Sequence, residues 1–236
     1  DAGGRLYGSW TGMDQKSKRL HCTIDGEPVV EIDINASQPT LLSSLLGYKL
    51  GGVGKNGEWF DVYNELSRLA MTGFPVTKQD DNIRLLDLIK HNRTVAKGVV
   101  MALIGTGSSI KPKATPTLAQ DLGLTPEGWI KFRDQLVATV PAFNDLEPRY
   151  DKTGQLDGYI NGPGFLSYHE SEMMLETLER LISLGIPAYS VHDCLIVKVD
   201  DAIEAAKVFR STIHDYCKQL SGIEVLVPLS VTVADN

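Results

Sequence analysis

Apolar and polar residues alternate along this chain with two distinct periods. Short β-branched runs bounded by turn residues predict strands, and apolar residues three and four apart predict helices. His21–Ile24 and Val29–Ile34 flank Asp25-Gly26, a hairpin turn signal, and predict two paired strands. Ser37-Gln38-Pro39 predicts a helix start, with Ser37 as N-cap and the helix running over Thr40–Leu46. Further helices are expected over Glu58–Met71 (Phe60, Tyr63, Leu66, Leu69 and Ala70 inward), Gln79–Lys90, Asn92–Ile104, Leu118–Leu122 and Pro126–Val140, with Gly105-Thr-Gly-Ser-Ser109 as a hinge or turn. Tyr150–Ile160 reads as a hairpin around Asp151-Lys-Thr-Gly154. Ser167–Leu184 reads as an amphipathic helix, with Met173, Met174, Leu178 and Leu181 in the core and His169, Glu170, Glu172 and Glu176 on polar positions. A strand over Ala188–Val199, a helix over Asp201–Leu220 and a strand over Glu224–Val233 follow. Residues 1–20 are Gly-rich and read as loop or extended chain, and no internal repeat or low-complexity segment appears.

Two of these strands carry a carboxylate where the pattern is otherwise apolar. Asp193 follows His192 in the middle of Ala188–Val199, and Asp33 ends the run Val29–Ile34. A buried carboxylate needs a hydrogen-bond network, a cation or a metal ion. One such Asp is more economically a satisfied structural residue. Two, carried by strands far apart in sequence, can meet in one sheet and hold a pair of divalent ions about 4 Å apart, the arrangement used for in-line phosphoryl transfer. Hard oxygen ligands of this kind suit Mg²⁺.

With 236 residues, 42% of them hydrophobic, the chain can bury a core for one domain or for one domain with a large insertion. A start at Asp1 reads as a fragment or processed product. The lack of a membrane-length apolar stretch or a signal pattern leads us to expect a soluble, cytoplasmic protein. Cys22, Cys194 and Cys217 lack metal-ligand spacing and read as free thiols. The net charge of −7 argues against nonspecific nucleic-acid binding by the whole surface, but charge is uneven: Arg84, Lys90, Arg93, Lys97, Lys111 and Lys113 face the single acid Asp87 between positions 84 and 113. Arg93 and Lys97 lie one helical turn apart and share a face with Met101. Such a pair serves either as an anion site for a triphosphate or as solvated cations at a helix start. Gly47-Tyr-Lys-Leu-Gly-Gly-Val-Gly-Lys-Asn-Gly57 lacks phosphate-loop spacing, and Lys55 is followed by Asn56, so it reads as a connector.

In order along the chain, these residues resemble the polymerase motifs of the family A DNA polymerases and the related single-subunit phage-type RNA polymerases. Gly4-Arg5-Leu6 resembles the segment that opens the palm of the DNA enzymes, and Asp33-Ile-Asn-Ala-Ser37 resembles their first metal-binding motif. Phe60-Asp-Val-Tyr63 is similar to a segment between the first two motifs, His91–Met101 resembles the fingers helix R-x-x-x-K, and Val191-His-Asp-Cys194 resembles the motif of the second metal-binding Asp. The resemblance implies an α+β fold, with a central antiparallel palm sheet flanked by helices, a mostly helical fingers insertion and no thumb. The palm would comprise residues 1–46 and 141–236 and the fingers 47–140.

For function, the resemblance implies a template-directed nucleotidyltransferase acting on a DNA or RNA primer-template with nucleoside triphosphates, with other domains or proteins supplying thumb or processivity functions. Asp33 and Asp193 would be catalytic and bind two Mg²⁺ ions, with Mn²⁺ as a substitute, and Ile34 would complete the metal site. Arg93, Lys97, Gln38 and Met101 would contact the incoming nucleotide, while Arg5, His192 and His169 would face primer and template. Gln38 stands where the DNA enzymes place a Glu that excludes a ribose 2′-hydroxyl. The chain departs from the family at Cys194, where Glu or Ser is usual, and in lacking an aromatic residue near Gly105. Alternatives are a single-subunit RNA polymerase or primase-like activity, and a catalytically silent palm-like module that binds nucleic acid or a partner. A metal-dependent nuclease would share the carboxylates but gives Arg93 and Lys97 no role.

Overall fold

The computed structural model describes residues 7–50, 61–71, 85–106, 125–146, 148–150, 152–154, 156–159 and 162–234. The expected helix Leu118–Leu122, Arg5, Lys111, Lys113, most of the Gly47–Gly57 connector and the turn residues 107–109 lie outside them. The chain forms two compact units, Asp1–Gly52 with Gly164–Asn236, and Val53–Pro163.

The first unit is built on an antiparallel sheet flanked by helices, the α+β architecture expected of a palm. β1 (Thr23–Ile24) and β2 (Glu27–Ile34) form a hairpin through Asp25 and Gly26, both at positive φ (54° and 83°) as a tight hairpin turn requires. β5 (Ala188–Val191) and β6 (Cys194–Lys198) form a second hairpin, and β7 (Leu229–Thr232) is the last strand. The sheet runs in the order β1-β2-β6-β5, with β7 on the same side of β2 as β1. Residues directly opposite one another share a face. Val30 opposite Val197 and Ile32 opposite Leu195 therefore form one buried apolar layer, on strands that pack against α6 (Ala202–Ser221). α1 (Ser37–Leu45) packs on the same helix, and Leu41, Leu42, Phe209 and Ile213 fill the core. The other face places Val29, Glu31 and Asp33 on β2 beside Cys194 and Ile196 on β6. Trp10 covers this side, donating from Nε1 to the Ser190 carbonyl (2.8 Å) and packing tilted against the Tyr189 ring.

The expected strand Ala188–Val199 is interrupted: His192 and Asp193 are the two-residue turn between β5 and β6, with His192 at φ 55°. The apolar run conceals this break because residues on both arms are buried. Ser37 is not the N-cap of α1. Ala36 takes that place in a left-handed conformation (φ 50°) with no side-chain oxygen to cap the helix, and the Ser37 hydroxyl donates to Asp193 instead. The last strand is shorter than expected, since residues 223–228 run without strand pairing. In α5 (Gly162–Ser183), His169 and Glu170 are buried rather than on the polar side, while Glu172 is exposed.

A left-handed Ala costs about 1–2 kcal/mol, which glycine avoids at the expense of chain entropy and a buried methyl group. Ala36→Gly is therefore expected to remain within about 1 kcal/mol of the parent in urea unfolding, and the β-branched Ala36→Val to lose roughly 2 kcal/mol or more. Equal losses would show that backbone conformation does not set the cost at this position.

The second unit is mostly helical. α2 (Val62–Met71) packs on α3 (Leu85–Thr106) and on α4 (Pro126–Thr139). The two helices expected over 79–90 and 92–104 are, over the described residues, one continuous α3, because no proline or glycine interrupts residues 85–97. Val95, Ala96, Val99, Val100, Leu103 and Ile104 form its buried stripe, packed in the same unit as Leu66, Leu136 and Phe143. α4 begins at Pro126 with Thr125 as N-cap, its Oγ1 accepting from Gly128 N–H (3.0 Å). β3 (Pro148–Tyr150) and β4 (Leu156–Tyr159) make the expected hairpin. A Cβ on Gly162 would meet the Ile104 carbonyl oxygen at 2.5 Å, so only glycine fits there. No helix among the described residues is long and apolar enough to cross a membrane.

Candidate active site

The sheet register brings the two carboxylates together. Asp33, second from the end of β2, pairs with Cys194, the first residue of β6, and Asp193 is the turn residue just before it. Ligand atoms of Asp33, Asp193 and Cys194 all lie within 4.8 Å of one another. Both approaches to this point use left-handed backbone, at Ala36 after β2 and at His192 before Asp193. Such conformations persist where surrounding structure over-determines them, as functional sites do.

Each carboxylate is held differently. Asp193 Oδ2 accepts a 2.6 Å hydrogen bond from the Ser37 hydroxyl, which ties the β5–β6 turn to the first turn of α1. Asp33 Oδ1 is buried and has no hydrogen-bond partner among the described residues. Burial, reinforced by the neighbouring Asp193 charge, pushes the Asp33 carboxyl up to about 6. An orphaned oxygen in a desolvated, doubly acidic corner is what a bound cation would satisfy. The donor set is two hard carboxylates with the Ile34 backbone beside them, and it fits a divalent ion such as Mg²⁺. Cys194 Sγ lies 4.0 Å from Asp193 Oδ1 and is adjacent to Asp33, so its single proton faces both acids. Burial first, and then the Asp193, Asp33 and Glu31 charges, push this thiol far up and keep it protonated.

Glu31, two residues before Asp33 on the same face, is almost fully buried but already has partners. Arg19 Nε donates to it at 2.7 Å and Gln15 Nε2 at 2.5 Å, while Arg19 Nη1 reaches the Met13 carbonyl. It anchors the turn-rich segment 13–21 to β2 and is not a spare metal ligand. Trp10 and Glu31 together fix the N-terminal segment that the sequence presents as a plain loop.

The other site candidates are distributed as follows. His192 is exposed at its turn and meets the Tyr7 ring edge-on, with centroids 6.2 Å apart. Ile34 is buried in β2, opposite Leu229. Gln38 sits in the first turn of α1 with Oε1 buried and without a hydrogen-bond partner among the described residues. His169 is buried in α5: Phe165 and Tyr168 pack edge-on against its ring, and Nδ1 pairs with the Tyr216 hydroxyl at 2.8 Å. Burial lowers the His169 pKa and pushes the Tyr216 phenol up to about 12, so the pair is neutral at pH 7. Arg5 lies outside the described residues.

In the helical unit, Arg93, Lys97 and Met101 share one face of α3 that borders its apolar stripe. Lys97 and Met101 are exposed, and Arg93 is partly exposed. Two partners of Arg93 are not apparent from the sequence, although both lie in the Phe60–Tyr63 segment: Asp61 Oδ2 accepts from Arg93 Nη2 at 3.1 Å, and the Arg93 guanidinium stands 5.3 Å from the Tyr63 ring centroid.

No family model and no curated protein matches this sequence. Among solved structures, the chain is similar to the POL domain of Pol1 from M. smegmatis in complex with DNA primer-template and dNTP. The TM-score is 0.48 at 12% sequence identity, over 88% of this chain and 40% of that one. The chain thus spans about two-fifths of that neighbour's length.

Proposed function

We propose that this chain is the palm and fingers part of a template-directed nucleotidyltransferase that extends a primer 3′-hydroxyl with a nucleoside triphosphate. The observation that carries this reading is the meeting of Asp33 and Asp193, from segments distant in sequence, around an orphaned carboxylate oxygen. The palm is read over residues 1–46 and 141–236 and the fingers over 47–140, while the compact units divide the chain at Gly52 and Pro163.

In this reading Asp33 and Asp193 would hold two divalent ions, and the Ser37 hydroxyl, bonded to Asp193 Oδ2, fixes the orientation of that carboxylate. Bound ions would acidify the 3′-hydroxyl and neutralise charge on the departing pyrophosphate. The 3′-hydroxyl gives up its proton to solvent water, and its oxygen forms a bond to the α-phosphorus as the bond to the bridging oxygen breaks and pyrophosphate leaves. Arg93 and Lys97 hold the β- and γ-phosphates, and Gln38 lies by the sugar, where its side chain blocks or accepts a 2′-hydroxyl. Cys194 favours a second reading, a silent palm-like module, because it puts a protonated thiol where the family carries Glu or Ser.

Primer extension separates these readings. Labelled dNTPs and NTPs on DNA and RNA templates are expected to give Mg²⁺-dependent products that EDTA abolishes, with the preferred sugar and template identifying the polymerase class. Template binding without any extension, in Mg²⁺ or Mn²⁺, would leave the silent module as the surviving reading.

A further inference from the structure

Asp61 makes three hydrogen bonds from one fixed position. Its Oδ1 accepts from the backbone N–H groups of Tyr63 (2.8 Å) and Asn64 (3.1 Å), which makes it the N-cap of α2, and its Oδ2 accepts from Arg93 Nη2. A carboxylate tied down by two backbone donors cannot follow a moving arginine. The arginine is therefore held by the carboxylate. Tyr63 is only 4% exposed, so the ring facing the guanidinium is equally fixed. Arg93 is held at one nitrogen and one face, while its side chain remains 40% exposed. A planar fork held in this way presents its remaining N–H groups in one orientation, which is how arginine gains specificity for phosphate.

We infer that Asp61 and Tyr63 are positioning residues that pre-orient Arg93 for the triphosphate of the incoming nucleotide, an inference that rests on the triphosphate reading of Arg93. A simple Coulomb account gives the opposite sign, since a nearby carboxylate should weaken anion binding. Asp61→Asn decides between the two. Asparagine caps a helix as well as aspartate does and presents its oxygen to the same backbone donors, but its amide has no acceptor to spare for Arg93. The fold and the cap survive, and only the tether is lost.

The test is a double-mutant cycle of Asp61→Asn and Arg93→Lys on the whole chain, read by inorganic triphosphate binding in calorimetry and by steady-state primer extension. Asp61→Asn is expected to weaken triphosphate binding and raise the nucleotide KM by about tenfold, as for loss of one charge-assisted contact, with kcat and primer-template affinity within about twofold of the parent. In the Arg93→Lys background the same change is expected to have no further effect, because Asp61 acts through Arg93. Additive effects, or tighter triphosphate binding by Asp61→Asn, would overturn the inference while primer extension by the parent keeps the polymerase reading. A parent chain that binds no triphosphate and extends no primer overturns both.

Discussion

Asp193→Asn and Asp33→Asn are each expected to lower nucleotide transfer by roughly 10³-fold or more, about 4 kcal/mol of lost transition-state stabilisation, because each removes a charged ligand from the proposed metal pair. What separates this from simple damage is the stability of the metal-free protein. Asp33 has a folded-state pKa of about 6, above the ordinary carboxylate value, owing to burial and to Asp193. Between about pH 4 and 6 the folded state therefore binds more protons than the unfolded chain, and stability falls as pH rises through that window. Asp33→Asn removes the charge that causes the fall. In EDTA at pH 8 it is expected to be more stable than the parent by roughly 1–2 kcal/mol, a figure discounted for the partial exposure of the carboxyl, and to lose this pH dependence. Divalent ions compete with the same proton, so apparent Mn²⁺ affinity in the parent should drop as pH falls below about 6, approaching tenfold per unit. A variant that is inactive but no more stable, with ion affinity flat across pH 5–8, would place Asp33 outside the metal site.

The sequence showed which residues are candidates for chemistry more readily than how the backbone delivers them. Asp33 was legible because a carboxylate near the end of a Val/Ile strand breaks a strict pattern, and Asp193 because a second run repeats the anomaly. The break between β5 and β6 was not legible. Val191 and Cys194 are both buried, so the hydrophobic run continues across a turn whose left-handed residue is a histidine rather than a glycine. Ser37 was visible as a helix-start residue, but its hydroxyl serves Asp193, 156 positions away, and no local pattern carries that information. The burial of His169 and Glu170 escaped notice because an amphipathic pattern assigns polar residues to solvent unless a partner is known. For His169 the partner is Tyr216, on another helix. Arg93, Lys97 and Met101 were placed on one helix face correctly because a four-residue period holds wherever the helix is continuous. The Asp61 contact, 32 positions before Arg93, required the packing of α2 on α3.

Lys97→Ala is expected to lower kcat/KM for the nucleotide by about 10²-fold, close to 3 kcal/mol, while primer-template affinity stays within about twofold of the parent. Lys97 is exposed on α3 one turn beyond Arg93, and the buried stripe Val95–Ile104 does not depend on its side chain. Loss of fold is therefore not a competing explanation, and Lys97→Ala should unfold within about 0.5 kcal/mol of the parent, as substitutions on a solvent face do. The two roles open to this cation differ in their response to salt. A lysine that neutralises a nucleic-acid phosphate contributes close to one unit to the slope of log affinity for primer-template against log salt, and its removal reduces that slope equally for every sequence. A lysine that meets the triphosphate leaves that slope unchanged and alters the dependence of rate on nucleotide concentration. Equal losses in template and nucleotide binding, with a salt slope about one unit shallower, would make the Arg93–Lys97 face a general nucleic-acid surface. In that case Asp33 and Asp193 would have to account for catalysis without a triphosphate grip on α3, and the nuclease and silent-module readings would regain the ground that these two cations now deny them.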